Sequence, residues 1–487
     1  MVERSLRMRE VRGSIPCVSN FLSIFFPCVR GAAVARWLVP MRHALPMSAR
    51  EDAERPSLEE WLGELAASND VRIPSVVCRD SAHGRGLFAS TRVARGDVIL
   101  SVPRRLTLCV QDGAGLSLPP GGTWPRVRAG VAANAPDAGK TWEYVLARAI
   151  VDAVAGDGGD FWAAYGGLMP PPASLAHPFL LPDALLAELQ DPELEEDARI
   201  ERARLQTLMP DLMDPLEPGG PPVGAWALAL VRSRAMLAGK VRGGGDAHAI
   251  VPFLDLANHA TAPTIDYRCD GVETPASSGL EPQATENLDR FELVALGDAE
   301  SGEELRLAYT KGTLTSREHF AQYGFAPEGG SPVDRVDLGP IGGSGEDGPS
   351  AIEGKTATRL REELRAKLKV ELAAATHRGE ENGRAGWVAA GGFLSGLFAS
   401  EGEPMTEEEE EMTLRAIRAR VGELESSFRT SLEEDKAAAT ATAERLAKSP
   451  TPEDERMGNI LGLRVIKKRL ARRVAEILDS LGGMRSA

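Results

Sequence analysis

The chain has 487 residues, 43% of them hydrophobic, and a formal net charge of −15. That reads as a soluble globular protein with core enough for two or three domains plus tails. The charge is uneven: residues 1–50 carry eight arginines, no lysine and only Glu3 and Glu10, so this segment is +6 and the rest of the chain −21. An acidic body is a poor match for a phosphate backbone, so no nucleic-acid partner is expected; a lysine-bearing protein suits the sign better, and plain solubility explains it equally well.

The Arg-rich, acid-poor start contains an apolar run from Ile15 to Val29, broken by Pro16, Asn20 and Pro27. The run is too short and too interrupted to span a bilayer, so no membrane partner is expected. Organelle targeting, to plastid or mitochondrion, is the sharper reading of residues 1–50; a disordered tail on a cytoplasmic protein is the other. Cysteines at 17, 28, 78, 109 and 269 show no C-x-x-C or C-x-C spacing, which argues for a reducing compartment and against structural zinc, and no metal site is expected.

Residues 76–110 read as short strands, with Val76-Val77-Cys78 and Val98 to Val102 as apolar or β-branched runs and a Gly84-Arg85-Gly86 turn between them. Residues 111–140 are a Gly-, Pro- and Ala-rich loop. From Thr141 the pattern is helical, with Trp142, Val145, Leu146, Ala149 and Ile150 on one face. It continues to about Gly239, with breaks at Met169 to Pro172 and Pro215 to Pro222. Strand-like sequence returns at Ile250 to Leu254, Phe291 to Leu296 and Leu305 to Tyr309, with a polar loop from Gly271 to Asp289.

Gly342 to Gly348 is a linker. Beyond it lie a stripe at Leu360, Leu364, Leu368 and Leu372, then a helix opening on a Thr406/Glu409 capping box with a seam at Leu414, Ile417, Val421, Leu424 and Phe428. A last helix starts near Thr451-Pro452, buries Ile460, Leu463, Ile466, Leu470, Val474, Ile477 and Leu481, and stops at Gly482. These limits divide the chain into a tail (1–50), a mixed domain (51–330) with a helical insert at about 141–240, a linker (331–354) and a helical domain (355–487).

Four short segments carry chemical information: Gly84-Arg85-Gly86-Leu87-Phe88-Ala89; Asp255-Leu256-Ala257-Asn258-His259; Gly302-Glu303-Glu304 leading to Tyr309; and Tyr323-Gly324-Phe325 after it. Taken in order they resemble the SET-domain protein methyltransferases, in particular the branch typified by Rubisco large-subunit methyltransferase, over roughly residues 75–480. The wording Ser427 to Asp435, followed by Leu463 to Lys468, is similar to that branch's C-terminal substrate-binding domain. The resemblance implies an α+β fold: a SET-type β fold with a threaded strand, a helical insert and an all-α C-terminal domain.

It also implies S-adenosylmethionine as cofactor and transfer of its methyl group to a lysine of a protein substrate, expected to be a non-histone protein, by a monomeric enzyme. A histidine acceptor and a non-catalytic SET-like scaffold remain as alternatives. By the same resemblance Gly84, Arg85, Gly86, Arg234, Asn258, His259 and Tyr323 are cofactor-binding candidates. Asp255, Tyr267 and Phe325 fall on the substrate side, and Tyr309 is the catalytic candidate.

The residue types suit those tasks. Glycine backbone can approach a ligand closely, an amide donates and accepts at once, a guanidinium can grip a carboxylate, and an apolar channel favours neutral lysine. An ordinary hairpin turn, a capped strand end, surface arginines and a core tyrosine explain the same residues taken singly. The sequence departs from the family pattern at Thr310, where glycine usually follows the tyrosine, and over Lys311 to Ser316, which is one or two residues longer. Thr315 or Ser316 can still cap the following helix.

Overall fold

A computed structural model describes residues 58–81, 84–111, 141–157, 159–216, 219–240, 246–269, 290–310, 313–331, 333, 334, 336, 415, 418, 419 and 421–485. The N-terminal segment, the linker at 342–348, the stripe at 360–372 and the helix start at Thr406 lie outside them. Three small antiparallel sheets form the β part. β1 (Val76–Ser81) pairs with β2 (Gly84–Ala89), and β2 pairs with β9 (Glu304–Leu305). β3 (Val98–Pro103) and β7 (Ile265–Arg268) flank β8 (Arg290–Ala295), while β4 (Leu108–Gln111) and β5 (Met236–Lys240) flank β6 (Asp246–Ile250).

The first sheet corrects one expectation. Gly84 and Gly86 belong to β2 itself, Gly84 opposite Ser81 and Gly86 opposite Arg79. The expected strand at Ile250 to Leu254 ends at Ile250, because Pro252 supplies no N–H and Phe253 turns into the left-handed region at φ 68°. A 3-10 turn, Leu254–Leu256, follows. The expected strand at Leu305 to Tyr309 pairs with β2 only through Leu305.

Past Leu305 the chain is threaded. Leu307 bridges in parallel to both His259 and Ile265, its N–H donating to Asn258 O (2.8 Å) and its carbonyl accepting from Ala260 N (3.0 Å). On the other side Ile265 N donates to Arg306 O at 3.1 Å. Residues 306–307 therefore pass through the loop 258–265, and that loop ties Asn258 and His259 to the approach of Tyr309.

From Thr141 to β5 the described chain is helical: α2 (Thr141–Asp152), α3 (Gly159–Tyr165), α4 (Asp183–Ala187), α5 (Pro192–Leu208) and α6 (Val223–Arg234), with short helical turns between them; α1 (Leu58–Ser68) precedes the first sheet. α6 is apolar all round and buried from Val223 to Val231, so it forms the insert's core against α2. Met236–Lys240, expected at the end of this helical stretch, is instead β5.

α7 (Ser316–Tyr323) opens on a capping box in which Thr315 and Glu318 satisfy each other's backbone N–H, and Gly324 closes it at φ 79°. Near the C-terminus, α8 (Leu432–Lys448) packs on α9 (Pro452–Arg485), which runs through the expected stop at Gly482. Thr451 Oγ1 caps α9 by accepting from Asp454 N at 3.1 Å.

The segments Ser427 to Asp435 and Leu463 to Lys468 meet at Asp435, a buried carboxylate that accepts from Arg464 and Lys468. α9 also reaches the insert: Arg456 donates to the carbonyls of Pro172 (2.6 Å) and Leu175 (3.0 Å), and Lys467 to Asp191 (2.8 Å).

Candidate active site

Four pieces of chain converge around Asn258: the β1–β2 hairpin, the knot at 253–259, the approach to Tyr309, and α7 with the Tyr323-Gly324-Phe325 turn after it. The Asn258 amide nitrogen donates to Glu304 Oε1 at 2.8 Å and to Ser81 Oγ at 3.2 Å. Glu304 also accepts from Arg306 (Nε to Oε2, 2.7 Å), so its carboxylate is a pure acceptor and the atom facing it must be the amide N–H₂. Both amide hydrogens are thereby used. The amide oxygen has no hydrogen-bond donor among the described residues.

Gly86 sits against this pair. A Cβ there would lie 2.6 Å from Glu304 Oε1 and 2.8 Å from Asn258 Nδ2. Glycine at 86 thus makes room for the Asn258–Glu304 contact. Gly84 is exposed, at φ 90°, with open space around it, and Arg85 is paired opposite Asp80 on the hairpin.

Tyr309 is held at both ends. Its backbone N–H donates to His259 Nδ1 at 3.2 Å and its hydroxyl to Ala257 O at 2.7 Å. Burial pushes its phenol up to about 12, so the hydroxyl stays protonated at neutral pH, its proton on Ala257 O and its oxygen without a donor among the described residues.

The first of these bonds fixes the tautomer of His259: Nδ1 accepts, so the proton of the neutral ring is on Nε2. In His319, Nδ1 lies 2.9 Å from Phe325 O, which can only accept, so that ring carries its proton on Nδ1 and its Nε2 is an acceptor. Both Nε2 atoms are buried with no hydrogen-bond partner among the described residues. Burial, and for His259 then the neighbouring His319, lowers both pKa values, to about 4 for His259. Two neutral imidazoles with their ring centres 4.8 Å apart thus offer one donor and one acceptor.

They belong to a five-ring cluster. Tyr323 lies 5.1 Å from Tyr309 and 4.5 Å from His319, and Phe325 lies 4.8 Å from His319 and 6.1 Å from His259, ring centre to ring centre. Tyr267, on β7 opposite Leu293, is part-buried, and burial above all raises its pKa.

Below the knot, Arg234 Nη1 donates to the backbone oxygen of Asp255 (2.6 Å) and lies 3.3 Å from its Oδ2, while its Nε is buried without a partner. Asp255 is itself buried. Burial raises its pKa, with Arg234 and then a hydrogen bond from Tyr165 opposing. Asn258, His259, Tyr309, Tyr323, Phe325, Arg234 and Asp255 thus form one constellation with Gly86 at its edge; Gly84 and Arg85 stand farther out on the hairpin.

Three participants carry no sequence signal of their own. Glu304 reads as a turn acid, His319 as a helix residue, and Tyr165 as one aromatic among Phe161 and Trp162. Among the described residues no group of three or more His, Cys, Asp or Glu is placed to hold a metal, and no helix is long and apolar enough to cross a membrane.

No family model and no curated protein matches the chain in sequence. Its fold is similar to that of solved structures. The SET domain of LSMT bound to methyllysine and AdoHcy shares 15% identity over 88% of this chain and 93% of that one, with a TM-score of 0.51. Rubisco LSMT bound to AdoMet shares 16% identity over 88% and 93%, with a TM-score of 0.49. The first likeness, with the threaded segment and the helical insert, makes this a SET-type α+β fold. At such identity the likeness speaks for the fold alone.

Proposed function

We propose that the chain is an S-adenosylmethionine-dependent protein methyltransferase whose acceptor is a lysine of a non-histone protein. The observation that carries this reading is Tyr309, its hydroxyl proton committed to Ala257 O and its oxygen lone pairs free beside the Asn258–His259 pair.

The polar groups left without partners suit a zwitterionic adenosyl cofactor. The buried Nε of Arg234 is a charged donor for a carboxylate, the oxygen of Asn258 an acceptor for an ammonium, and the aromatic cluster a surface on which adenine can stack. Bound there, S-adenosylmethionine supplies an electrophilic sulfonium methyl. The SET domain of LSMT, similar in fold, was solved with methyllysine and AdoHcy bound, which supports this assignment.

Transfer needs a neutral amine in line with the methyl carbon: the lysine ammonium first gives a proton to water, the amine lone pair then forms the C–N bond, and the C–S bond breaks with its pair going to sulfur, so the positive charge passes from the sulfonium to the methylated ammonium. Tyr309 cannot serve as an anionic base, because burial keeps its phenol protonated. Its role is electrostatic: the oxygen lone pairs face partial positive charge at the methyl group and orient the amine. The rings of Tyr309, Tyr323 and Phe325 supply an apolar wall that disfavours the lysine ammonium. The C-terminal helices α8 and α9, docked on the insert, would grip the substrate protein.

Equilibrium binding of radiolabelled S-adenosylmethionine to the full chain, with AdoHcy as competitor and ATP as control, tests the reading. Saturable binding displaced by AdoHcy and not by ATP is expected, and absence of saturable binding overturns it.

A further inference from the structure

Glu304 touches no group assigned above to the substrate, yet it sits at the centre of the contacts that orient Asn258. Its two oxygens divide their work: Oε1 accepts from the Asn258 amide at 2.8 Å and Oε2 pairs with Arg306 at 2.6 Å. The side chain is 9% exposed, and β2 gives way to it with a glycine at 86, where any Cβ would strike both Glu304 and Asn258. β9, which carries Glu304, is paired with β2 at Phe88↔Glu304 and Leu87↔Leu305, and Ala89 N donates to Glu303 O beside it at 2.9 Å, so the backbone under the carboxylate is fixed as well.

An asparagine amide can present either end to a ligand, and its two ends differ little in shape. Which end it presents here is decided by its neighbour. A carboxylate paired with an arginine can only accept, so it captures the N–H₂ and turns the oxygen away, toward whatever binds.

We propose that Glu304 is a positioning residue whose carboxylate locks the Asn258 amide with its oxygen toward the ligand, making the site selective for a cofactor bearing an ammonium group. This rests on the adenosyl-cofactor reading above and deepens it: recognition of the amino-acid end depends on Glu304, recognition of the adenosine end does not.

Glu304→Gln is nearly isosteric and reverses the polarity of one end. Arg306 takes the oxygen of the substituted carboxamide, which leaves the carboxamide N–H₂ facing Asn258. The Asn258 amide then flips to accept, and an N–H₂ faces the ligand where an oxygen had been. A charge-assisted hydrogen bond is replaced by a donor-to-ammonium clash, for an expected loss of about ten- to a hundredfold in affinity.

The test compares two probes on the full chain by calorimetry: S-adenosylhomocysteine, which carries the ammonium, and 5′-methylthioadenosine, which lacks the whole amino-acid moiety. Glu304→Gln should weaken the first by at least about tenfold and leave the second within about twofold of wild type. Equal weakening of both, or no change in either, overturns the proposal.

Should Glu304→Gln fail to fold, Glu304→Asp keeps the charge but withdraws the oxygen from Asn258, and the same split between the two probes is required of it. If wild type binds neither probe, it is the cofactor reading that fails, a result distinct from either outcome in the variants.

Discussion

The hydroxyl of Tyr165, at the end of α3 in the insert, donates to Asp255 Oδ1 at 2.5 Å inside the knot. The Tyr165 hydroxyl oxygen in turn accepts the backbone N–H of Phe253 at 2.7 Å. Phe253 is one of three non-glycine residues at positive φ among the described residues, a conformation that persists only where the surroundings hold it. One phenol from the insert thus secures the strained turn and the buried carboxylate that Arg234 grips.

Tyr165→Phe removes that phenol oxygen and leaves a buried carboxylate oxygen and a buried N–H without their partner. A loss of roughly 2–4 kcal/mol in unfolding free energy is expected, measured by urea titration. A loss below about 0.5 kcal/mol would show that the knot does not depend on this phenol.

Gly86→Ala separates stability from binding. The added Cβ meets the ends of two side chains rather than backbone, so they can move aside and the fold should survive with a cost of about 1 kcal/mol or less. Moving them destroys the Asn258–Glu304 contact, and affinity for S-adenosylmethionine should fall at least about tenfold. A variant that binds as wild type does would disconnect Gly86 from the site.

Acid should loosen this part of the molecule. His259 is held at about 4, below its usual value, by burial and then by His319. Between that value and about 6.5 the unfolded chain binds the proton that the folded chain refuses, so the stability contribution is complete above about 6.5 and is lost as pH falls toward 4. Urea unfolding at about pH 7 and about pH 4.5 should show His259→Asn, whose side-chain oxygen can still accept from Tyr309 N–H, losing roughly 2–3 kcal/mol less than wild type on acidification. Equal losses in the two proteins would place the acid sensitivity elsewhere.

Asp435 is 1% exposed and faces both Arg464 and Lys468. Asp435→Ala would leave two buried cations without their shared anion, at an expected cost of about 3–5 kcal/mol by chemical denaturation. A change within about 0.5 kcal/mol would mean that the packing of α8 on α9 does not depend on this buried carboxylate.

The local words around Asn258, His259 and Tyr309 were legible because each is a short run of neighbouring residues. The thread that unites them was not, since Leu307 bridges His259 and Ile265 one residue at a time and leaves no alternation to read. Met236–Lys240 contains no β-branched residue, so its strand looked like the tail of a helix. Ile250 and Val251 pointed to a strand that Pro252 and the left-handed Phe253 cut short. Glu304, His319 and Tyr165 act through partners from 46 to 90 positions away or through ring packing, and no spacing in the chain announces such pairings.

The central claim is that one site binds the cofactor through Asn258 and uses Tyr309 for chemistry. Calorimetric titration of S-adenosylmethionine into wild type, Asn258→Ala and Tyr309→Phe tests it most directly. Wild type and Tyr309→Phe should bind within about threefold of each other, and Asn258→Ala at least about tenfold more weakly. Loss of binding in Tyr309→Phe with none in Asn258→Ala would contradict the assigned roles, and no binding by wild type would leave a SET-type fold that serves as a scaffold.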